Sequence, residues 1–166
     1  MSKAFIIVGG TGTGKTTFIK EKILSEVNTP LFIFDVNNEY KDFPNKNYNH
    51  SDFKKFTSDA NMKTNHCIVY EEATIFFSHG GSTESIRSQL VRKRHTKNLF
   101  VFNFHALHQV PMYLLDFCDL MIIKKTKDNS KLIYDKFKYN ENIINAYNEV
   151  REENNKYALR LIKEIN

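Results

Sequence analysis

The segment VGGTGTGKTT, residues 8–17, decides the fold of this 166-residue chain. It matches the pattern G-x-x-x-x-G-K-[ST] and directly follows the apolar run at residues 4–8. A buried strand that enters a glycine-rich turn and then a helix is the setting in which this pattern binds phosphate. The segment therefore predicts a P-loop, and the alternative is a glycine-rich turn without a ligand.

The P-loop pattern gives each of its residues a task. Glycines let backbone N–H groups converge on a phosphate, and the helix that begins near Lys15 adds unpaired N–H groups of its own. Lys15 is expected to contact the β- and γ-phosphates, and the Thr16 hydroxyl to hold Mg²⁺. The residues predicted to bind ATP are Gly9, Gly10, Thr11, Gly12, Thr13, Gly14, Lys15, Thr16 and Thr17.

Length and composition predict one domain over residues 1–166, with a core at about 3–127 and a C-terminal hairpin or helix at 128–166. No apolar run reaches the about 18 residues of a membrane span, and the glycines interrupt any signal peptide, so we expect a cytoplasmic protein without a membrane partner. Cys67 and Cys118 lie in apolar stretches without metal-site spacing, which indicates buried free thiols.

The charge balance indicates an anionic partner. The formal net charge is +5 and the isoelectric point is near 9.1. Nucleic acid is the first candidate, because much of the excess charge lies at residues 87–97 and in a lysine-rich stretch at 124–138. The alternative for the second stretch is a solvated lysine surface.

The rest of the chain alternates between strand and helix patterns, which predicts an α/β fold with a mainly parallel central sheet flanked by helices. We predict strands at residues 4–8, 31–35, 66–72, 98–105 and 119–125. A break at Gly80–Gly81 should precede an amphipathic helix with Ile86, Leu90 and Val91 on one side. Residues 131–137 are predicted to return as a hairpin, and a helix should begin at Asn140, with residues 157–162 as its end or as an edge strand.

Two acids at the end of the third strand predict hydrolytic chemistry. In CIVYEE, residues 67–72, four apolar residues carry Glu71 and Glu72 to the carboxyl edge of the sheet, where ligands bind in open α/β folds. Glu71 is expected to hold Mg²⁺ through water, and Glu72 to deprotonate the water that attacks the γ-phosphate. Asn103 and His105 end the fourth strand as candidate catalytic sensors. The alternatives are solvated acids and a core-edge histidine.

Together these segments resemble the FtsK/HerA superfamily of ring-forming, DNA-pumping ATPases, and within it the compact genome-packaging ATPases of viruses and phages. The resemblance extends from the P-loop to about Lys127. It rests on GGTGTGKTT, on FIFDVNNEY at 32–40, on IVYEEA, on LVRKRH at 90–95, and on FNFHALHQVP followed by CDLMIIKKTKD. The P-loop by itself is unspecific, whereas RKRH before HQVP, joined to a double acid, is much more specific.

The resemblance implies a single-domain P-loop NTPase with a RecA-like ASCE core, in which the sensor strand lies between the P-loop strand and the acidic strand. It also implies a ring of five or six subunits. Arg94, with Arg92 and Arg87 as alternatives, would reach the γ-phosphate of a neighbouring subunit. Gln109 would belong to the sensor region. The resemblance matches Asp35 and Glu39 in position without assigning them a role, and a basic helix end is the alternative for residues 92–95.

The sequence thus predicts a Mg²⁺-dependent ATPase that moves double-stranded DNA without regard to its base sequence. The first candidate for this task is the packaging of a viral or phage genome into a procapsid in the host cytoplasm. Portal or capsid proteins would be further partners, and SHGGSTES, residues 78–85, would be a mobile DNA-contacting loop. The alternatives are a related motor for another DNA task, a small nucleotide or nucleoside kinase, and a nucleotide-binding switch without turnover.

Overall fold

The computed structural model of the chain describes residues 2–44, 52–78, 80–163 and 165, with residues 80–82 described by their backbone alone. Within these residues the strands are β1 (Lys3–Val8), β2 (Leu31–Phe34), β3 (Cys67–Tyr70), β4 (Leu99–Phe104), β5 (Leu120–Lys124) and β6 (Leu159–Ile162). The α-helices are α1 (Lys15–Lys22), α2 (Phe53–Asn61), α3 (Thr74–Phe77), α4 (Gly80–Val91), α5 (Lys93–Thr96), α6 (Met112–Leu115), α7 (Ser130–Lys136) and α8 (Glu141–Glu152). Among the described helices, none is long and apolar enough to cross a membrane.

The six strands form one sheet in the order β2-β3-β4-β1-β5-β6. Strands β1 to β5 are mutually parallel, and β6 alone runs antiparallel, beside β5. The predicted mainly parallel α/β fold is confirmed. The order that the resemblance implied is confirmed as well, because β4 lies between the P-loop strand β1 and the acidic strand β3.

Two apolar layers cover the faces of the sheet. One is rich in aromatic rings, among them Tyr70 and Phe102, which stack with centroids 4.9 Å apart. The other is aliphatic and contains Ile19 of α1 together with Val69 of β3 and Val101 of β4. Because side chains alternate along a strand, each central strand supplies both layers, and its sequence is apolar apart from residues near its ends. This is why the strands appear in the sequence as continuous hydrophobic runs.

The aliphatic layer, which contains α1, also determines where the polar strand ends lie. Asp35 follows Ile33, Glu71 follows Val69 and Asn103 follows Val101 at the two-residue period of a strand, so all three point to the face that α1 covers. Asp35 and Glu71 directly follow β2 and β3, Asn103 lies next to the end of β4, and these three strands are adjacent. Their side chains therefore meet at the carboxyl edge of the sheet, next to the first turn of α1.

Two predicted segments differ from the structure. Residues 131–137 were expected as a hairpin, but Ser130–Lys136 is helix α7, since the Asn129 side chain accepts the Lys131 N–H and Ile133 and Phe137 are buried one turn apart. The C-terminal segment is both helix and strand: α8 ends at Glu152 and β6 follows it.

The predicted break at Gly80–Gly81 is also wrong. Both glycines lie in the first turn of α4, so residues 80–85 of the supposed mobile loop are helical, while His79 lies outside the described residues. On α4, Ile86 and Leu90 are buried as expected, but Val91 is 63% exposed. The buried side of this helix is therefore narrower than the sequence predicts.

The cysteines are free, as predicted. Cys67 is buried and Cys118 is half-buried, which corrects the expectation that both are fully buried. Burial raises the pKa of each thiol to about 12. Neither thiol is therefore positioned as a nucleophile.

Candidate functional site

The P-loop closes over the carboxyl end of β1. The Gly9 N–H donates to the Phe104 carbonyl at 3.1 Å and the Gly10 N–H to the Lys125 carbonyl at 2.7 Å, which ties the loop to β4 and β5. A Cβ at Gly9 would lie 2.8 Å from the Lys124 Cβ, closer than real carbon atoms approach. A glycine is therefore required there by packing, independently of any ligand.

Two further glycines give the loop its curvature. Gly12 has φ of 76° and Gly14 has φ of 75°, in the left-handed region that side chains rarely adopt. The loop then enters α1, whose first N–H groups have no partner within the helix. A glycine-rich turn of this shape at a helix start is an anion cradle.

Lys15 and Thr16 begin α1 and face the acids. The Lys15 ammonium is buried and donates to the Gly10 carbonyl at 3.1 Å. Burial lowers the pKa of this group, and the nearby carboxylates, first that of Glu71, oppose the change. The Thr16 hydroxyl lies 3.0 Å from Glu39 Oε2 and 3.4 Å from Glu71 Oε1, so it marks the point where the two carboxylates converge.

Glu71 is almost completely buried, with 3% of its surface exposed. It accepts a hydrogen bond from the Tyr40 hydroxyl at 2.6 Å and one from Asn103 Nδ2 at 2.5 Å. Burial raises the pKa of this carboxyl to about 7, although both hydrogen bonds favour the charged form. The amide oxygen of Asn103 is buried and has no hydrogen-bond partner among the described residues. A polar group or cation beside this pair would therefore be stabilised.

Glu72 occupies a different environment from its neighbour. Its φ of 56° is positive, which is costly for a residue with a side chain and is concentrated at functional sites. His105 Nε2 lies 2.8 Å from both carboxylate oxygens, and Asn37 Nδ2 donates to Oε1 at 3.3 Å. The carboxylate is about a quarter exposed, so it is held in position yet open to water.

These groups share one cavity of about 400 Å³. Its lining residues are Thr11, Gly12, Gly14, Lys15, Thr16, Thr17, Asn37, Glu39, Glu71, Glu72 and His105. A triphosphate fits the amide cradle and the lysine. The convergence of a hydroxyl and two carboxylates fits Mg²⁺, which prefers oxygen ligands and shares them with substrate phosphates. Thr16 and Glu71 would hold the ion, and Glu39 is a further oxygen donor.

The loop after β2 contributes Asn37 and Tyr40, which the sequence did not single out, and it gives a role to Asp35, which the sequence matched by position alone. Asp35 is buried and accepts the Glu39 N–H at 2.8 Å and the Tyr40 N–H at 2.9 Å, so it holds the loop in shape. That shape directs Tyr40 to Glu71 and Asn37 to Glu72. The motif FIFDVNNEY contains all of these residues, but a motif does not show which side chains turn inward.

Gln109 lies beside the site and does not line the cavity. Its Oε1 accepts the Ala106 N–H at 3.1 Å and the Thr74 hydroxyl at 3.2 Å. It therefore connects the turn after β4 to the segment after β3. Its predicted place in the sensor region stays a prediction.

The basic cluster, residues 92–97, lies at the amino edge of the sheet. Lys93 pairs with Asp119 at 2.6 Å, just before β5, and the Asn65 N–H donates to the Thr96 carbonyl just before β3. Arg92 donates to the Asn61 carbonyl. Arg94 is exposed, and in the described part of the chain it has no hydrogen bond or ion pair.

Arg87, the third candidate, lies on α4 with its guanidinium 5.9 Å from the ring centre of Tyr113. Of the two other arginines of the chain, Arg151 contacts Ser130, and Arg160 pairs with Glu149 of α8 and with Glu153 directly after it. None of the five arginines is among the described residues that line the cavity. Among the described residues that line the cavity, Lys15 is therefore the one with a permanently cationic side chain.

The family model described as the central domain of helicase HerA matches residues 1–165. The chain is similar to the DNA-packaging ATPase B204 from Sulfolobus turreted icosahedral virus, with a TM-score of 0.75 and 18% identity over 97% of this chain and 93% of that one.

It is also similar to the genome packaging NTPase B204 from Sulfolobus turreted icosahedral virus 2 in complex with ATP-gammaS, with a TM-score of 0.72 and 17% identity over 99% of this chain and 98% of that one. At these identities the structural matches show a shared fold. No curated protein matches the sequence. The FtsK/HerA resemblance is confirmed by the family model: the chain belongs to the helicase HerA central domain family.

Proposed function

We propose that the chain is an ATPase whose hydrolysis of ATP drives double-stranded DNA, as a viral or phage genome, into a procapsid. The observation that carries the ATPase part is the meeting of Glu72 and His105 with Lys15 and Thr16 in one cavity. A phosphate cradle alone binds nucleotide. A positioned carboxylate beside the cradle adds the means to activate water.

The residues divide the reaction between them. The backbone amides of the P-loop and Lys15 bind the phosphates. Thr16 and Glu71 would hold Mg²⁺, which would supply neutralisation of phosphate charge. Glu72 accepts a proton from the attacking water. His105 holds both oxygens of Glu72 and so keeps that carboxylate facing the cavity.

The arginine that stabilises the transition state comes from a neighbouring subunit in this proposal. None of the described cavity-lining residues is an arginine, and Arg94 is exposed at the opposite edge of the sheet without a partner in the described part of its own chain. Arg92 and Arg87, which already contact their own chain, are weaker candidates. A ring of five or six subunits would join each cavity to the next subunit's basic cluster.

The DNA part of the proposal rests on charge and on the relatives. The net charge of +5 suits a polyanion, and the solved structures that resemble this chain are a DNA-packaging ATPase and a genome packaging NTPase. Contacts to the DNA backbone would make binding independent of sequence and steeply dependent on salt. The host cytoplasm, with the procapsid and its portal as partners, is the corresponding location.

The test is ATP turnover with and without double-stranded DNA, with oligomer size followed by light scattering. We expect Mg²⁺-dependent release of phosphate that rises with DNA and with assembly. The motor proposal would be wrong if the protein stayed monomeric and its rate of ATP hydrolysis did not change with DNA at any protein concentration. ATP labelled on the γ-phosphate separates the kinase alternative, because a kinase leaves the label on an acceptor and an ATPase releases it to water. A related motor for another DNA task would pass both tests and fail in procapsid packaging.

A further inference from the structure

We propose that Tyr157 is the platform on which the base of the bound nucleotide stacks, an assignment that rests on the proposed ATP binding. The observation is a contact between the C-terminal loop and the P-loop. A Cβ placed on Gly14 would lie 3.4 Å from Cδ1 and 3.8 Å from Cε1 of the Tyr157 ring. Gly14 itself lines the nucleotide cavity. An aromatic ring thus borders the phosphate cradle.

The ring is available for a ligand. Tyr157 is 53% exposed, although it lies against the loop. About half of the Tyr157 surface is therefore open to a ligand. The ammonium of Lys156 lies over the ring, 4.7 Å from its centre, so a base that stacks on this face would take the place of the lysine. An exposed ring with a neighbouring cation suits a base that carries phosphates.

The loop that presents the ring is held in place. Lys124 at the end of β5 donates to the Tyr157 carbonyl at 3.2 Å, and Lys125 donates to the carbonyl of Glu153. Asn155 closes the turn by accepting the Tyr157 N–H at 2.9 Å. Lys124 is the last residue of β5, and the carbonyl of the next residue, Lys125, also accepts the Gly10 N–H. The platform and the P-loop therefore share one support.

The orientation expected for a nucleotide along the P-loop agrees with the position of Tyr157. The groups expected at the γ-phosphate, Glu71 and Glu72 with His105, lie on the β3 and β4 side of the P-loop. A triphosphate bound along the loop with its γ-phosphate there carries its nucleoside to the other side. That side is occupied by β5 and by the start of β6, since Lys124 is paired with Leu159. Tyr157 lies two residues before Leu159, at the same edge.

Stacking on a flat ring recognises the face of a base and not its hydrogen-bonding edge. The site should therefore hold ATP and GTP with similar contributions from Tyr157. It should give no such contribution to tripolyphosphate, which offers the same phosphates to Lys15 and the amides but has no base. Comparing ATP with tripolyphosphate therefore separates the contribution of Tyr157 to binding from that of the P-loop.

The first measurement uses tryptophan fluorescence, because the chain contains no tryptophan. In the variant Tyr157→Trp, we expect ATP to change the emission and tripolyphosphate to leave it unchanged. The matched control is Tyr139→Trp, since Tyr139 is 90% exposed and lies between α7 and α8. Its emission should respond to neither ligand. An identical response of Tyr157→Trp to ATP and to tripolyphosphate would contradict base stacking.

The second measurement is affinity for a non-hydrolysable ATP analogue. Tyr157→Ala should weaken binding about tenfold, and Tyr157→Phe should retain it, because one stacked base on an aromatic side chain is worth about that much. Tripolyphosphate affinity should stay the same in all three proteins, which also shows that the cradle is folded.

Equal affinity of wild type and Tyr157→Ala for the analogue would overturn the assignment while leaving the proposed ATPase standing. A parallel loss of affinity for the analogue and for tripolyphosphate would also overturn it, since it would indicate damage to the cradle. If the wild-type protein binds neither ligand, the proposed function is wrong and the platform with it.

Discussion

The carboxyl and amino edges of the same sheet carry opposite chemistry. At the carboxyl edge, Glu71 is buried and Glu72 is held by His105 beside the P-loop. At the amino edge, the basic cluster is mostly exposed, and Arg94 has no partner in the described part of the chain. The edges are separated by about 17 Å, the rise of the six-residue strand β4.

The distance between the two edges explains why one chain holds only part of the proposed active site. A strand cannot bring its two ends together, so a side chain at the amino edge does not reach a phosphate at the carboxyl edge of its own sheet. The acid and the cradle are therefore intramolecular, and the arginine would have to be supplied across a subunit boundary.

The largest expected effect is at the carboxyl edge. Glu72→Gln should lower the turnover of ATP about 1000-fold, because the amide cannot accept the proton of the attacking water. Nucleotide affinity should stay the same, since Lys15 and the amide cradle are intact. The matched control is Glu84→Gln on the exposed side of α4, which should retain full activity. Wild-type turnover in Glu72→Gln would remove Glu72 as the base.

The buried acid of this edge should make stability depend on pH. The pKa of Glu71 is about 7 in the folded chain against 4.5 ordinarily, so between these values the folded state binds more protons than the unfolded state. The free energy of unfolding should therefore fall as pH rises from 4.5 to 7, by about 3 kcal/mol from this group.

Glu71→Gln isolates that contribution, because an amide does not titrate. Thermal or urea unfolding without divalent cations should show the variant gaining stability over wild type as pH rises from 4.5 to 8. A difference between the two proteins that is independent of pH would contradict the raised pKa.

Residues at the amino edge should affect ATP turnover only at the active site of a neighbouring subunit. Arg94→Ala is expected to lower turnover about 100-fold, the effect of removing one group that stabilises transition-state charge. Mixing Arg94→Ala with Glu72→Gln should restore part of the activity, because some interfaces then join an intact Glu72 to an intact Arg94. The control is the double variant, which should restore nothing. Absence of recovery in mixed assemblies would place the arginine elsewhere.

The smallest effect separates structure from function inside the basic cluster. The Lys93 ammonium contacts Asp119 at 2.6 Å and also the Phe117 carbonyl, in a partly exposed position. Lys93→Met should lower the free energy of unfolding by about 1 kcal/mol. Turnover per folded molecule should stay the same, as measured by phosphate release and thermal unfolding. A loss of turnover like that of Arg94→Ala would mean that the whole cluster acts on the neighbour.

Much of the fold was predictable because its signals are local. The P-loop and the continuous apolar strands are contiguous in sequence, and the acids and polar sensors stand directly at strand ends. The hairpin expected at residues 131–137 was wrong because its apolar residues suit either structure. Ile133 and Phe137 are buried one turn apart, which stabilises helix α7 instead of a hairpin. The break expected at Gly80–Gly81 was wrong because glycine only weakly disfavours a helix, and α4 begins at these residues.

The sequence by itself determined that a phosphate cradle, two acids and a basic segment occur in one α/β chain. Tertiary structure alone decided their arrangement: Tyr40 turned onto Glu71, His105 onto Glu72, the basic cluster at the far edge, and Tyr157 at the P-loop. The physical reason is the separation in sequence over which each kind of interaction acts. Glycine conformations and strand patterns depend on neighbours in the chain, whereas contacts between residues far apart in sequence depend on which strands pair and which faces are buried.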